Sequence, residues 1–82
     1  MFYAIAVDDE SAALNRFERI ASADGRVVLE GKFLYAEDAL AFIKEHPVDL
    51  AFLDIEMPEM NGLELAERLL EIAPYIKVGD RL

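Results

Sequence analysis

Two groups of carboxylates each follow an apolar run of the sequence and could together bind a cation. Asp8, Asp9 and Glu10 come directly after one run, and Asp54 comes directly after another. Clustered carboxylates repel one another, so at least one pKa should rise unless a cation lies among them. Mg²⁺ is commonly held by one or two carboxylates together with several waters. An aspartate beside Mg²⁺ can also attack phosphorus and form an aspartyl phosphate. The pattern therefore predicts a magnesium site with a nucleophilic aspartate.

Each acidic group also has a purely structural interpretation. The triplet Asp8-Asp9-Glu10 could solvate a loop and cap the helix that follows it. Asp54 could be a loop or helix-capping residue without chemistry. The apolar run before each group favours the functional interpretation, because a short apolar run that ends in turn signals is typical of a strand buried on both faces.

The hydrophobic pattern predicts strands that alternate with helices along one domain. Apolar runs predict strands, and apolar residues at helical spacing predict helices. The predicted strands are β1 at residues 2–7, β2 at 27–33, β3 at 48–53 and the beginning of β4 at 75–78. The predicted helices are α1 at residues 11–23, α2 at 36–45 and α3 at 62–73. Strict alternation indicates an α/β fold with a parallel sheet and right-handed crossovers.

The predicted strand order explains how the two acidic groups would meet. In a doubly wound sheet of order 2-1-3, β1 and β3 are neighbours, and ligands bind in the crevice at their carboxyl ends. Asp8, Asp9 and Asp54 would converge there. β2 is interrupted by Glu30 and Lys32, which is typical of an edge strand.

Several local features complete the predicted elements. Asn61 is expected to cap α3, with Glu64 reaching back to it, and the residues from Gly79 onward are expected to break β4. The expected apolar stripe of α1 is Ala13, Leu14, Phe17, Ile20 and Ala21, that of α2 is Ala36, Ala39, Leu40 and Ile43, and that of α3 is Leu65, Ala66, Leu69, Leu70 and Ala73.

The composition narrows the class of protein. The net charge of −9 argues against direct binding of a nucleic-acid backbone and of anionic membranes, because both need clustered Lys and Arg. The chain has no cysteine, which excludes disulfides and thiolate metal sites. No apolar run approaches membrane-spanning length, and the amino terminus lacks a basic leader. We therefore expect a cytoplasmic protein.

The acidic triplet and the run L-D-I-E-M-P-E-M-N-G-L-E-L at residues 53–65 together resemble the receiver domain of two-component response regulators. The run around Asp54 and the sequence A-E-D-A-L at residues 36–40 are most similar to receivers that precede LytTR-type DNA-binding domains. The resemblance implies a flavodoxin-like sheet of order 2-1-3-4-5. It also implies that a phosphohistidine on a sensor histidine kinase is the phosphodonor.

The resemblance also implies a role for each acidic residue. Asp54 matches the phosphorylated aspartate. Asp9 matches the direct acidic Mg²⁺ ligand, and Asp8 matches the acid that acts through water. Glu56 matches the position whose backbone carbonyl completes the metal site.

Compared with the family pattern, the chain looks truncated after the third βα unit. The Ser or Thr after β4, the Lys after β5 and the aromatic switch residue of β5 are not matched, so phosphorylation and switching are expected to be impaired. Lys77 would not replace the missing Lys, since it lies in the beginning of β4. The apolar face of β3 and the open edge beyond it would also be uncovered, and such surfaces recruit partners. We therefore expect a homodimer through this β3/β4 face or edge, with residues 75–82 taking part.

Three functions compete on this basis. The first is a phosphoacceptor module that depends on Mg²⁺ and has no separate substrate. The second is a truncated receiver that dimerises or binds a kinase without productive phosphorylation. The third is a phosphohydrolase of the haloacid-dehalogenase type, suggested by Asp54-Ile55-Glu56 but disfavoured by Met57-Pro58 after it. Turnover of a generic phosphate ester would support the third.

Overall fold

The computed structural model describes residues 1–54 and 60–80 of the 82-residue chain. Three helices and four strands alternate along it. They are β1 (Phe2–Val7), α1 (Ser11–Ala23), β2 (Val27–Phe33), α2 (Ala36–Glu45), β3 (Leu50–Leu53), α3 (Gly62–Ile72) and β4 (Lys77–Asp80). Within these described ranges, no helix has both the length and the hydropathy needed to cross a lipid bilayer.

The strands form one parallel sheet in the order β2-β1-β3-β4. The predicted α/β class is therefore confirmed, and so are the position of β2 at an edge and the pairing of β1 with β3. β4 adds to β3 on the other side, so that the two most apolar strands lie in the centre of the sheet. Parallel strands need helical crossovers, and α1, α2 and α3 supply them.

The bounds of β1, α1, β2 and α2 coincide with those that the sequence predicts, whereas β3 begins two residues later. The Asp49 carboxylate accepts a hydrogen bond of 2.9 Å from the Tyr3 backbone N–H. The Asp49 N–H also donates to the Tyr3 carbonyl at 2.7 Å, so Asp49 joins β1 through both its backbone and its side chain, and the regular ladder starts at Leu50. α3 ends at Ile72, and the N–H of Ala73 donates to the Leu69 carbonyl as the helix closes.

β4 lies two residues further along the chain than predicted. Pro74 and Tyr75 form a turn, and the Ile76 N–H donates to the Ala73 carbonyl at 3.0 Å. The expectation that Gly79 breaks the strand is wrong, because Gly79 pairs with Phe52 of β3. A Cβ atom on Gly79 would lie 3.7 Å from the Phe52 ring, so this residue packs directly against an aromatic side chain.

A β-bulge divides β2 into two halves. The register of β1 with β2 shifts between Ala4 and Ile5, so that Leu29 pairs with Ala4 but Gly31 pairs with Ile5. Glu30 is the extra residue and is exposed. Two residues that pair across neighbouring strands point to the same face of the sheet. The extra residue in β2 therefore reverses the faces to which the later residues of β2 point.

The two faces of the sheet carry separate apolar clusters. The α2/α3 face holds the larger cluster, in which Ile5 and Val7 of β1 pack with Leu53 of β3. The stripe predicted for α2 is buried there in full, as Ala36, Ala39, Leu40 and Ile43. The α1 face holds a smaller cluster of Ala6, Leu14 and Phe17, against which Leu29 and Phe52 are partly buried.

Two apolar residues predicted to lie in the core are instead exposed. The relative accessibility is 52% for Ile20 of α1 and 42% for Leu70 of α3. Each lies on the flank of its helix, outside the stripe that contacts the sheet. Helical spacing alone does not show how wide that stripe is.

Candidate functional site

The ends of β1 and β3 bring two aspartates to neighbouring positions at the carboxyl edge of the sheet. Val7 pairs with Leu53, so Asp8 and Asp54 are the next residues on adjacent strands. The Asp54 N–H donates to the Val7 carbonyl at 3.0 Å. The N–H of Asp8 donates in turn to the Phe33 carbonyl of β2 at 3.0 Å. The backbone ladder therefore continues to the residues that carry the carboxylates.

Both aspartates are buried. The relative accessibility of Asp8 is 0% and that of Asp54 is 4%, and they are the buried polar residues among residues 1–54 and 60–79. Carboxylates are rarely fully buried, because removing their charge from water is costly without compensating partners. Two of them at adjacent strand ends indicate a site rather than a solvated surface.

The triplet after β1 forms a tight loop ordered by Asp8. Its Oδ1 accepts a hydrogen bond of 3.0 Å from the Glu10 backbone N–H. Glu10 then occupies the N-cap position of α1, where its carbonyl accepts from the N–H groups of Ala13 and Leu14. The Glu10 side chain makes no capping hydrogen bond. Asp9 lies exposed between them, so the triplet combines one buried acid with two exposed acids.

The carboxylates of this triplet lie close enough to share one cation. One oxygen from each of Asp8, Asp9 and Glu10 lies within 4.8 Å of the others. The set contains oxygen donors alone, which is the donor chemistry that Mg²⁺ requires. The residues present therefore fit that ion. Glu10 was not predicted as a ligand, although its position directly after Asp9 could have suggested it.

The structure brings three of the four predicted site residues to one edge of the sheet. Asp8, Asp9 and Asp54 all lie at the carboxyl edge of the sheet, as expected from the strand order. The group within 4.8 Å consists of the triplet, with Asp54 on the neighbouring strand. Glu56 lies outside the described residues. Lys77 is the first residue of β4 and pairs with Leu50, the first residue of β3. It therefore lies at the amino ends of the strands, opposite the end that carries the acidic residues.

The helix α3 begins eight residues after Asp54, at Gly62. Asn61 is the N-cap, and its side chain accepts a hydrogen bond of 2.8 Å from the Glu64 N–H, which confirms the predicted cap. The Glu64 carboxylate contacts Arg68 at 3.4 Å, where the sequence predicted that it would reach back to Asn61. Met60, just before the cap, is buried in the cluster of the α2/α3 face.

Comparison with protein families gives a match over most of the chain. A family described as the response regulator receiver domain matches residues 4–79. The positive alginate biosynthesis regulatory protein of Pseudomonas aeruginosa is 41% identical over 68 residues, which are 82% of this chain and 27% of that protein. A protein-glutamate methylesterase/protein-glutamine glutaminase of Agrobacterium fabrum is 39% identical over 70 residues, 85% of this chain and 20% of that protein. The chain therefore spans less than a third of the length of these relatives.

Solved structures show the same architecture. A CheX-CheY-BeF3-Mg complex from Borrelia burgdorferi contains a chain with a TM-score of 0.87 and 25% identity, aligned over 96% of this chain and 60% of that one. The response regulatory domain of protein mrkE from Klebsiella pneumoniae gives a TM-score of 0.84 and 27% identity, over 95% of this chain and 64% of that one.

Proposed function

Because the chain belongs to the response regulator receiver domain family, we propose that it is a phosphoacceptor module of two-component signal transduction, with Asp54 as the phosphorylated residue. The observation that carries this proposal is the burial of Asp54 and Asp8 at adjacent strand ends. The backbone of a nucleophile at this position is fixed by the hydrogen bonds of the sheet. Its charge would be tolerated because the proposed cation site, formed by the acidic triplet, follows the neighbouring strand β1.

The proposed reaction is transfer of a phosphoryl group from a phosphohistidine of a sensor kinase. An oxygen of the Asp54 carboxylate attacks phosphorus, the P–N bond breaks, and a proton from solvent neutralises the released imidazole nitrogen. Mg²⁺, when bound, supplies positive charge beside the transferring group. In the proposed site, Asp9 would ligate the ion directly and Asp8 would act through water. The resemblance assigns the remaining protein ligand to the backbone carbonyl at position 56, a residue outside the described ranges.

Asp8 has a second role that follows from its hydrogen bond. By accepting from the Glu10 N–H, its Oδ1 holds the loop in which Asp9 lies. Asp9 is exposed, so this loop determines where its carboxylate sits. Asp8 therefore positions the proposed direct ligand as well as contributing charge.

The chain itself is proposed to act on no separate substrate. The methylesterase relative aligns over 20% of its own length, so its named activity is a property of that longer protein. The proposed partner is a sensor histidine kinase. Direct nucleic-acid binding is not proposed for a chain of net charge −9. The cytoplasmic location stays a prediction, which fractionation of the producing cell would test.

The deciding experiment is intact mass spectrometry after incubation of the 82-residue chain with Mg²⁺ and acetyl phosphate. We expect one phosphoryl adduct on the wild type and on Asp38→Asn, which removes an exposed carboxylate of α2, but none on Asp54→Asn. Slow formation of the adduct would agree with the predicted impairment. An adduct that persists in Asp54→Asn, or a folded wild type without any adduct, would overturn the assignment of Asp54.

A second candidate function is a dimerising interaction module, and the free side of β4 favours it. Within residues 1–54 and 60–80, β4 pairs with β3 alone. The Lys77 N–H donates to the Asp49 carbonyl, so alternation along the strand directs the Val78 N–H away from β3. We propose that two copies of the 82-residue chain pair along this edge, with the half-buried Phe52 face beside it. The result would be a homodimer.

The edge homodimer can be tested with one substitution. Val78→Pro removes an outward N–H and leaves the hydrogen bonds to β3 in place. At micromolar concentration, we expect a dimer for the wild type and a monomer for Val78→Pro in light scattering. A monodisperse wild-type monomer at micromolar concentration would contradict the proposed edge homodimer.

A further inference from the structure

A groove between α2 and α3 lies apart from the acidic triplet and from the β4 edge. Its volume is about 500 Å³. The residues that line it are Glu37, Leu40, Ala41 and Lys44 of α2, and Arg68, Glu71 and Ile72 of α3. The proposed phosphoacceptor function uses none of these residues.

The α2 wall of this groove has an unusual symmetry. Glu37, Leu40, Ala41 and Lys44 follow one another at spacings of three, one and three residues, which places them on a single stripe of the helix. The stripe is centred between Leu40 and Ala41. Read from either end, it runs charged, apolar, apolar, charged, and the charges at its two ends are opposite.

This stripe is complementary to an antiparallel copy of itself. A two-fold axis through the point between Leu40 and Ala41 would bring Glu37 of each copy opposite Lys44 of the other. The two charges are seven residues apart, or roughly 10 Å along the helix at 1.5 Å per residue. Two equivalent ion pairs would therefore form on either side of the exposed Ala41, since Leu40 is buried in the core of its own chain. Isologous contacts of this kind are the usual basis of two-fold dimers.

We propose that the α2/α3 groove binds a second copy of this chain, with the two α2 helices antiparallel. Ala41 is exposed and small, so the helix axes can approach closely. Leu40 beneath it is buried and Ile72 is half-buried at the rim. This proposal goes beyond the phosphoacceptor function and does not depend on Asp54.

The charges that the proposal uses are not engaged elsewhere within the part of the chain that the structure describes. The ion pairs there are Arg26–Asp24, Lys32–Glu18 and Arg68–Glu64. Glu37 and Lys44 are both exposed. Each therefore keeps its charge for a partner across the interface.

The net charge of the chain predicts how this association responds to salt. Two copies of charge −9 repel each other at long range, whereas the proposed ion pairs are short-range. Salt at about 0.15 M reduces the Debye length to about 8 Å, which weakens the long-range repulsion first. Association is therefore expected to be stronger at that salt concentration than at about 0.01 M.

Charge reversal on α2 tests the proposal directly. Glu37→Lys puts like charges opposite each other in a homodimer, and Lys44→Glu does the same with the opposite sign. Each single variant is expected to self-associate about tenfold or more weakly than the wild type, because opposed like charges cost several kcal/mol. An equimolar mixture of the two variants is expected to regain a dimer that contains one copy of each. The double variant Glu37→Lys/Lys44→Glu is expected to regain the homodimer.

Two controls separate this interface from general charge effects and from the β4 edge. Asp38→Lys makes the same change in net charge as Glu37→Lys within the same helical turn but lies outside the stripe, so it should not weaken association. All variants are combined with Val78→Pro, which removes pairing through β4. Sedimentation velocity at several hundred micromolar gives the dimer dissociation constant, and circular dichroism verifies the helix content.

Three results would overturn the proposal. The Val78→Pro chain could remain a monomer at the highest concentration. The single α2 variants could associate as strongly as their parent. Their mixture could form no complex although each variant is folded. Phosphorylation of Asp54 is measured separately on the same samples, so failure of either idea does not imply failure of the other.

Discussion

The two faces of the sheet are covered by different numbers of helices, and their packing differs accordingly. On the α2/α3 face, two helices enclose a continuous cluster from Ile5 to Ile76. On the other face, Leu14 and Phe17 of α1 pack against Ala6, and Phe52 stacks on Phe17 with ring centroids 5.4 Å apart. Two helices can close a sheet face completely, whereas one helix leaves its flank accessible.

A cavity marks the flank of the single helix. It has a volume of about 180 Å³ beneath the carboxyl end of α1 and beside Phe52. The side chains that line it are Phe17, Ile20, Ala21, Asp24, Val27 and Phe52. The exposure of Ile20 follows from this opening. The faces therefore differ in how closely their side chains are packed, and substitutions on each face should reveal that difference.

The largest effect is expected from shortening a leucine on each face. Leu69 of α3 is fully buried, so Leu69→Ala should leave a cavity that its neighbours cannot fill, at the upper end of the about 2–5 kcal/mol typical of such changes. Leu14→Ala of α1 should cost nearer the lower end, because the open flank lets the surroundings relax. Urea denaturation of both variants gives the two costs. Equal losses would contradict the proposed difference between the faces.

Two glycines allow the opposite test, in which a methyl group is added. A Cβ on Gly31, on the α2/α3 face, would lie 2.7 Å from the Phe33 ring, whereas one on Gly79 would lie 3.7 Å from the Phe52 ring. Gly31→Ala is therefore expected to destabilise the fold by about 1–3 kcal/mol through overpacking. Gly79→Ala should be neutral or stabilising by up to about 1 kcal/mol, because it restricts the unfolded chain. Urea midpoints of the two variants decide, and a larger loss at Gly79 would reverse the comparison.

The smallest effect is expected at the rim of the α1 cavity, where Asp24 lies. Its carboxylate accepts hydrogen bonds from the Arg26 guanidinium at 3.1 and 3.2 Å and from the Arg26 backbone N–H at 3.0 Å, and these bonds lower its pKa below the usual value. A group whose pKa is lower in the folded state stabilises the fold above its unfolded pKa, near 3.8. That contribution is lost as the pH falls through the lower, folded value.

Urea midpoints of the wild type and of Asp24→Asn measure this contribution. The wild type should be slightly more stable at pH 6, and the difference should shrink as the pH falls toward 3. A difference that stays constant with pH would mean that the carboxylate contributes through its shape rather than its charge. The effect should be small because both side chains are solvent-accessible.

The acidic edge could be predicted from the sequence because its signals are local. An apolar run that ends in an aspartate identifies a buried strand and the residue at its end, and this reasoning placed Asp8 and Asp54 at the same edge. The neighbouring positions of β1 and β3 then followed from the alternation of strands and helices. The resemblance of residues 53–65 to receiver domains added their expected roles.

The parts that could not be predicted depend on contacts between distant residues. β3 begins at Leu50 because the Asp49 side chain bonds to Tyr3, which lies 46 residues away. β4 continues through Gly79 because the Phe52 ring packs there. Ile20 and Leu70 have the right spacing for a core position, but the width of the stripe is set by which helix lies alongside. Glu10 belongs to the acidic cluster because the turn after β1 brings its carboxylate close to those of Asp8 and Asp9.

The bulge in β2 also makes the two edges of the sheet unequal toward other chains. After the bulge, Phe33 points into the α2/α3 cluster and Lys32 toward α1, where its Nζ contacts Glu18 at 3.3 Å. An irregular edge that carries exposed charged side chains such as Glu30 is a poor template for an additional strand. The pairing of β4 with β3 shows no such shift in register. Unwanted strand addition, and with it aggregation, is therefore hindered at β2, whereas β4 carries no comparable irregularity in the part of the chain that the structure describes.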